Sequence, residues 1–167
     1  MGVTASEEFV GRWEAAVASA DVAAVESLLA EDVTFRSPAL FRPTVGRGPT
    51  TLVLAAVLQV FGDLRYTHRY LDEPEGVTLQ FETSVQDASG RRLEVEGVDI
   101  FRLDVDGRIA SLTVMLRPLN ATQAVAERMR EQLGPGRSGR RRAADVDHDH
   151  PVLADAHRIG RDRQVRR

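Results

Sequence analysis

The sequence predicts an α+β domain, and three observations carry that prediction. Apolar residues recur at helical spacing as far as Phe61, alternate with polar ones from Leu64 to Arg117, and return to helical spacing after Asn120. Helices gathered before and after an unbroken run of strands mean segregated layers rather than alternating βαβ units. The chain has 167 residues, 43% of them hydrophobic. That is enough to bury one sizeable core and too little for two comfortable domains.

The elements follow in order. Thr4-Ala5-Ser6-Glu7 fits a capping box, and Phe9, Val10, Trp13, Ala16 and Val17 then share one side of a helix over 5–19. Asp21 can cap a second helix, with Val22, Val25, Leu28 and Leu29 on its apolar side. Val33-Thr34-Phe35 reads as a short strand, and a loop from Ser37 to Gly48 follows. Pro49 suits the first turn of a third helix over 49–61, apolar on most sides and so expected to be buried. Beyond Gly62, Leu64, Tyr66, His68 and Tyr70 form one face of a strand. Two more strands carry Val77, Leu79, Phe81, Thr83 and Val85, and then Leu93, Val95, Gly97, Asp99, Phe101 and Leu103, each set on one face. Asp106-Gly107 is a hairpin signal leading to a strand over 108–117. Asn120 with Gln123 is expected to cap a closing helix that runs to about Leu133.

Composition divides the chain at Gly134-Pro135-Gly136, where glycine favours a helix end and proline cannot continue one. All 22 basic residues are arginines. Residues 1–134 hold 13 of them against 20 acids, whereas residues 135–167 hold 9 against 5. The expected organisation is a domain over 1–134 and a disordered arginine-rich tail over 135–167, whose residues offer no apolar period. An acidic body argues against nucleic acid as a main partner, with the tail limited to weak contacts. Asp147-His148-Asp149-His150 has metal-ligand residue types, but adjacent residues in a flexible tract make a poor site, so no metal is expected. The absence of cysteine excludes disulfides, thiol nucleophiles and iron–sulfur clusters. Glu7 and Glu8 stand where a secretory leader needs cations and an apolar run, and no apolar stretch reaches membrane-spanning length; the expected location is cytoplasmic.

Several stretches carry a family resemblance, which covers about residues 6–133. Ala30-Glu31-Asp32-Val33-Thr34-Phe35, and Gly97-Val98-Asp99-Ile100-Phe101-Arg102-Leu103 with Asp106-Gly107-Arg108-Ile109, resemble segments of the nuclear transport factor 2-like superfamily. The likeness is to its SnoaL-like and ketosteroid isomerase-like members. It implies a cone-shaped fold: a curved antiparallel sheet packed against three N-terminal helices, plus a C-terminal helix, around a cavity. In the isomerases an aspartate base follows the first strand, while a tyrosine and a protonated aspartic acid donate to a developing oxyanion. By position, Asp99 falls on the donor aspartate, Ser37 on the base and Trp13 on the tyrosine. Serine takes no proton at neutral pH without a partner base, and an indole N–H donates without shuttling a proton. One part of three matches, so the standard isomerase route is not expected.

The phase of its strand alone points Asp99 inward, and a carboxylate in apolar surroundings needs a partner or a raised pKa. Asp99 is therefore the candidate acid or donor, or else a structural residue paired with an arginine or with backbone groups. His68, the one histidine of the body, is the candidate for the missing base. Trp13, Phe35, Tyr66, Phe81, Phe101, Leu112, Val114 and Leu116 are expected to line the cavity, or to be ordinary core. Gly46-Arg47-Gly48-Pro49 is rejected as a phosphate loop, because proline removes a backbone donor and no lysine follows. These residues point to a domain binding a small hydrophobic molecule without a cofactor, acting as an isomerase, cyclase or hydrolase through Asp99. The alternative is a non-catalytic domain for dimerisation or partner binding. Homodimerisation is expected through an outer sheet face carrying Val98, Ile100, Ile109 and Met115.

Overall fold

The structure is a computed structural model that describes residues 2, 4–72 and 76–134. The expected tail over 135–167, with its Asp147–His150 tract, lies outside the described residues. Helices α1 (Ala5–Ala18) and α2 (Val22–Ser27) precede strands β1 (Leu29–Arg36) and β2 (Thr44–Val45). Helix α3 (Arg47–Val60) leads into β3 (Arg65–Asp72), β4 (Gly76–Gln86), β5 (Arg92–Leu103) and β6 (Ile109–Arg117), and α4 (Leu119–Leu133) closes the order.

Local chemistry starts the helices. The Thr4 hydroxyl accepts from the Glu7 amide while the Glu7 carboxylate accepts from the Thr4 amide, closing the expected box. Asp21 accepts from the Ala24 amide at 3.0 Å and caps α2. A cap contributes about 1 kcal/mol, against roughly 1.5–3 kcal/mol for one large buried side chain. The buried stripe Phe9, Val10, Trp13 and Ala16 therefore holds α1 in place more than its cap does. Two expectations change. Helix α3 buries only Thr50, Leu54 and Ala56 and leaves Leu52 largely exposed, so it is covered on one side rather than on most. Helix α4 begins after Pro118 without a side-chain cap, so Asn120 and Gln123 lie inside the helix rather than before it.

The sheet runs β2-β1-β6-β5-β4-β3. Strands β3 to β6 form the expected antiparallel meander, with Gly107 at φ 71° in the turn before β6. The sheet as a whole is mixed, because β1 lies parallel to β6. The chain reaches β6 only after crossing through α3 and the meander, and so returns beside β1 in the same direction. The sequence pattern predicts antiparallel pairing throughout, and a loop where β2, a two-residue strand, pairs with β1.

Two bulges set which side chains reach the interior. Tyr66 pairs with Phe81, but His68 pairs with Gln80, so Thr67 is extra and the phase of β3 flips. Tyr66 faces inward with Phe81, while His68 and Tyr70 face outward with Gln80 and Thr78. A second irregularity, between Arg102 and Leu103, pairs Leu103 with Ile109. Ile109 is thus fully buried instead of outward as expected. The core gathers in two clusters. One packs α1 on Leu79, Phe101 and Leu112, and the other packs α4 on Val85 and Val95.

Candidate functional site

Asp99 sits on the inner face of β5, between Leu79 of β4 and Val114 of β6. Only 6% of its surface is exposed. Among the described residues its one hydrogen-bond partner is Tyr66, whose hydroxyl donates to Oδ2 at 3.0 Å. The Trp13 indole Nε1–H donates in turn to the Tyr66 oxygen at 2.7 Å. Three elements thus meet in a chain from α1 through β3 to β5. Among the described residues no arginine pairs with Asp99, and none bonds Oδ1.

Burial pushes the Asp99 carboxyl up to about 7, and the Tyr66 hydrogen bond opposes the rise without cancelling it. The Tyr66 phenol is raised well above its ordinary range, first by burial and then by the charge of Asp99. A carboxyl that stays protonated towards neutrality can donate a hydrogen bond, and once ionised it can accept a proton.

Supporting contacts fix the chain's ends. Arg69, exposed but on the same face of the sheet as Leu79, holds Glu14 of α1, with Nε–Oε1 at 2.8 Å. Glu14 follows Trp13 directly, so this clamp sets α1 on β3 where the indole meets the phenol. The sequence pattern does not reveal it, because Arg69 comes to the α1 side of the sheet only after the bulge at Thr67. Gly97, one inward position from Asp99, leaves room for the Phe81 ring and for Leu116 and the Met115 carbonyl.

The structure sorts the remaining candidates. Phe35, Phe101 and Leu112 are core under α1, with Phe101 edge-on to Phe9 at 5.1 Å and to Trp13 at 5.0 Å. Phe81 is buried between Phe61 and Tyr66. Val114 is half-buried opposite Asp99, and Leu116 belongs to the cluster under α4. His68 is exposed on the far side of the sheet, stacked on Tyr70, and does not meet Asp99. Ser37 lies in the loop after β1, where its hydroxyl accepts from the Ala39 amide. The Arg47 guanidinium binds the Leu29 carbonyl and Glu31, tying α3 to β1. Arg117 pairs across strands with Glu96. A cavity of about 310 Å³ lies at the far end of the sheet, between Phe61, Ser84, Arg92 and Arg128, and Asp99 does not line it. No group of three or more metal-ligating side chains occurs among the described residues.

Residues 10–112 match the family model of the SnoaL-like domain. The chain belongs to the SnoaL-like family. Its fold resembles that of a steroid delta-isomerase from Pseudomonas aeruginosa, with 32% identity over 77% of this chain and 91% of that one, and a TM-score of 0.70. A protein with a cystatin-like fold from Silicibacter pomeroyi is likewise 32% identical, over 75% of this chain and 84% of that one, at a TM-score of 0.69. The epoxide hydrolase/cyclase-like enzyme SalBIII, of pyran ring formation in salinomycin, shares the fold at 19% identity and a TM-score of 0.59, over 69% of this chain and 92% of that one. No curated protein sequence matches. The SnoaL-like domain thus has isomerase and cyclase neighbours on one scaffold, and the scaffold alone does not fix the chemistry.

Proposed function

We propose that this SnoaL-like domain binds a small apolar molecule bearing a carbonyl or ether oxygen and polarises that oxygen with the neutral Asp99 carboxyl. One observation carries this reading: the Asp99 carboxyl lies 6% exposed among apolar side chains and, among the described residues, is bonded only at Oδ2, by the Tyr66 hydroxyl, which leaves Oδ1 for a ligand oxygen. Val114, half-buried across the strand, marks the side from which a ligand would approach. The reaction that suits a lone acid is isomerisation or ring closure assisted by hydrogen-bond donation. The 32% identity to a steroid delta-isomerase supports the same class. Among the described residues no base stands beside Asp99: Ser37 is in a loop with an amide on its oxygen, and His68 is across the sheet.

Trp13 is the only tryptophan, so its fluorescence reports on the site. Titrating the protein with 1-tetralone, an apolar aryl ketone, should give saturable quenching at pH 6. Binding should weaken roughly tenfold in Asp99→Ala, the equivalent of one hydrogen bond. Equal affinity in the two proteins, or no saturable binding by ketones and enones of this size, would remove the reading.

A second reading has its own support. The outer sheet face presents Met115 and Tyr70, 56% and 55% exposed, beside half-buried Val98 and Ile100. Large apolar groups gathered on one exposed face suit association with a second copy of the chain.

A further inference from the structure

We propose that Trp13 sets the direction of the hydrogen-bond chain and thereby decides which oxygen of Asp99 carries the acid proton. An indole Nε1–H can only donate, so at 2.7 Å the Tyr66 oxygen must accept from it. The phenol has a single proton. Its acceptor at 3.0 Å is Asp99 Oδ2, and no other acceptor is in reach among the described residues. Were Asp99 to donate from Oδ2 instead, the Tyr66 oxygen would accept twice and its own proton would be stranded in the interior. Oδ2 is therefore held as an acceptor, and the proton of the neutral acid resides on Oδ1.

This assignment depends on the ligand reading only for its consequence, which is specificity. A neutral Asp99 presents an O–H from Oδ1, so the group it recognises best is an acceptor such as a carbonyl or epoxide oxygen, whereas an ammonium group is favoured only once the carboxyl ionises. The groups around Asp99 leave this polarity unopposed. Leu79, Val114 and Phe101 are apolar, and Glu14 acts on Tyr66 while held by Arg69. Trp13 is here a positioning residue: it touches Tyr66, and acts on Asp99 through it. Donation into the phenol oxygen also strengthens the phenol as a donor, so losing the indole should weaken the Tyr66–Asp99 bond.

The test is a pH titration of the full chain by NMR without ligand, following the single indole N–H resonance and the Asp99 Cγ. The expected result is an indole shift with the same midpoint as Asp99. That shift should vanish in Tyr66→Phe and in Asp99→Asn, and the Asp99 midpoint should rise in Trp13→Phe, by less than in Tyr66→Phe. An indole resonance indifferent to Asp99 in the unaltered protein would overturn the proposal, as would a Trp13→Phe midpoint equal to the original. The first readout needs no variant, so a Trp13→Phe protein that fails to fold leaves the question decidable. Failure of ketone binding would count against the proposed function and leave this assignment standing.

Discussion

At the residue scale, Asp99 couples the site to stability. Its folded pKa of about 7 lies above the unfolded carboxyl value of about 3.9, so the native state holds the proton more tightly. The contribution is complete below pH 4 and is lost as pH rises towards 7, at up to about 1.4 kcal/mol per unit. Asp99→Asn keeps an oxygen for the Tyr66 hydroxyl and carries no charge. Its stability relative to the parent should therefore increase across that window, by a few kcal/mol at most, and level off above it. Urea unfolding at pH 4.5, 6 and 7.5 checks this; a constant difference would mean that Asp99 titrates normally. An arginine partner would have made the same substitution cost about 3–5 kcal/mol at neutral pH, and the structure offers none.

At the scale of elements, the crossing of β4 and β5 beside Asp99 depends on an absent side chain. A Cβ at position 97 would lie 2.8 Å from Leu116, 2.9 Å from the Met115 carbonyl and closer still to the Phe81 ring. A ring tip can shift, but the backbone of β6 cannot move without disturbing its pairing. Gly97→Ala should cost on the order of 1–3 kcal/mol, the usual range for overpacking. Thermal melts at fixed pH measure it, and an unchanged midpoint would show that Phe81 has somewhere else to go. The bulge in β3 makes an opposite prediction for His68. Exposed and turned away from the chain, it should be replaceable by alanine with ketone affinity unchanged; a tenfold loss would place it in the site after all.

At the scale of the whole molecule, two expectations concern association and the tail. We propose a homodimer through the outer face around Met115, whose burial a charge would oppose. Sedimentation at micromolar concentration should find a dimer, and Met115→Glu should shift it to monomer; a parent protein that sediments as a monomer ends that idea. The compositional break at Gly134-Pro135-Gly136 motivates a last expectation. Truncation after Leu133 should leave the melting temperature unchanged, because the residues beyond it carry no apolar period. A loss of several degrees would move the domain boundary. No helix among the described residues is long and apolar enough to cross a membrane.

The sequence by itself determined the class, the element order, the caps of α1 and α2, the hairpin at Gly107 and the inward position of Asp99. Each rests on periodicity or on contacts a few residues apart, which a single chain displays directly. The tertiary structure alone decided that Tyr66, and not His68, meets Asp99. One extra residue at Thr67 reverses the phase of a strand, and a period-two pattern cannot reveal it where both faces carry polar and aromatic groups. The same limit hid the buried Ile109, the clamp of Arg69 on Glu14 and the parallel pairing of β1 with β6. The first two depend on bulges that shift the register between neighbouring strands and the third on the chain folded in between, and the site is assembled from distant pairs: Trp13 with Tyr66 and Tyr66 with Asp99, 53 and 33 residues apart.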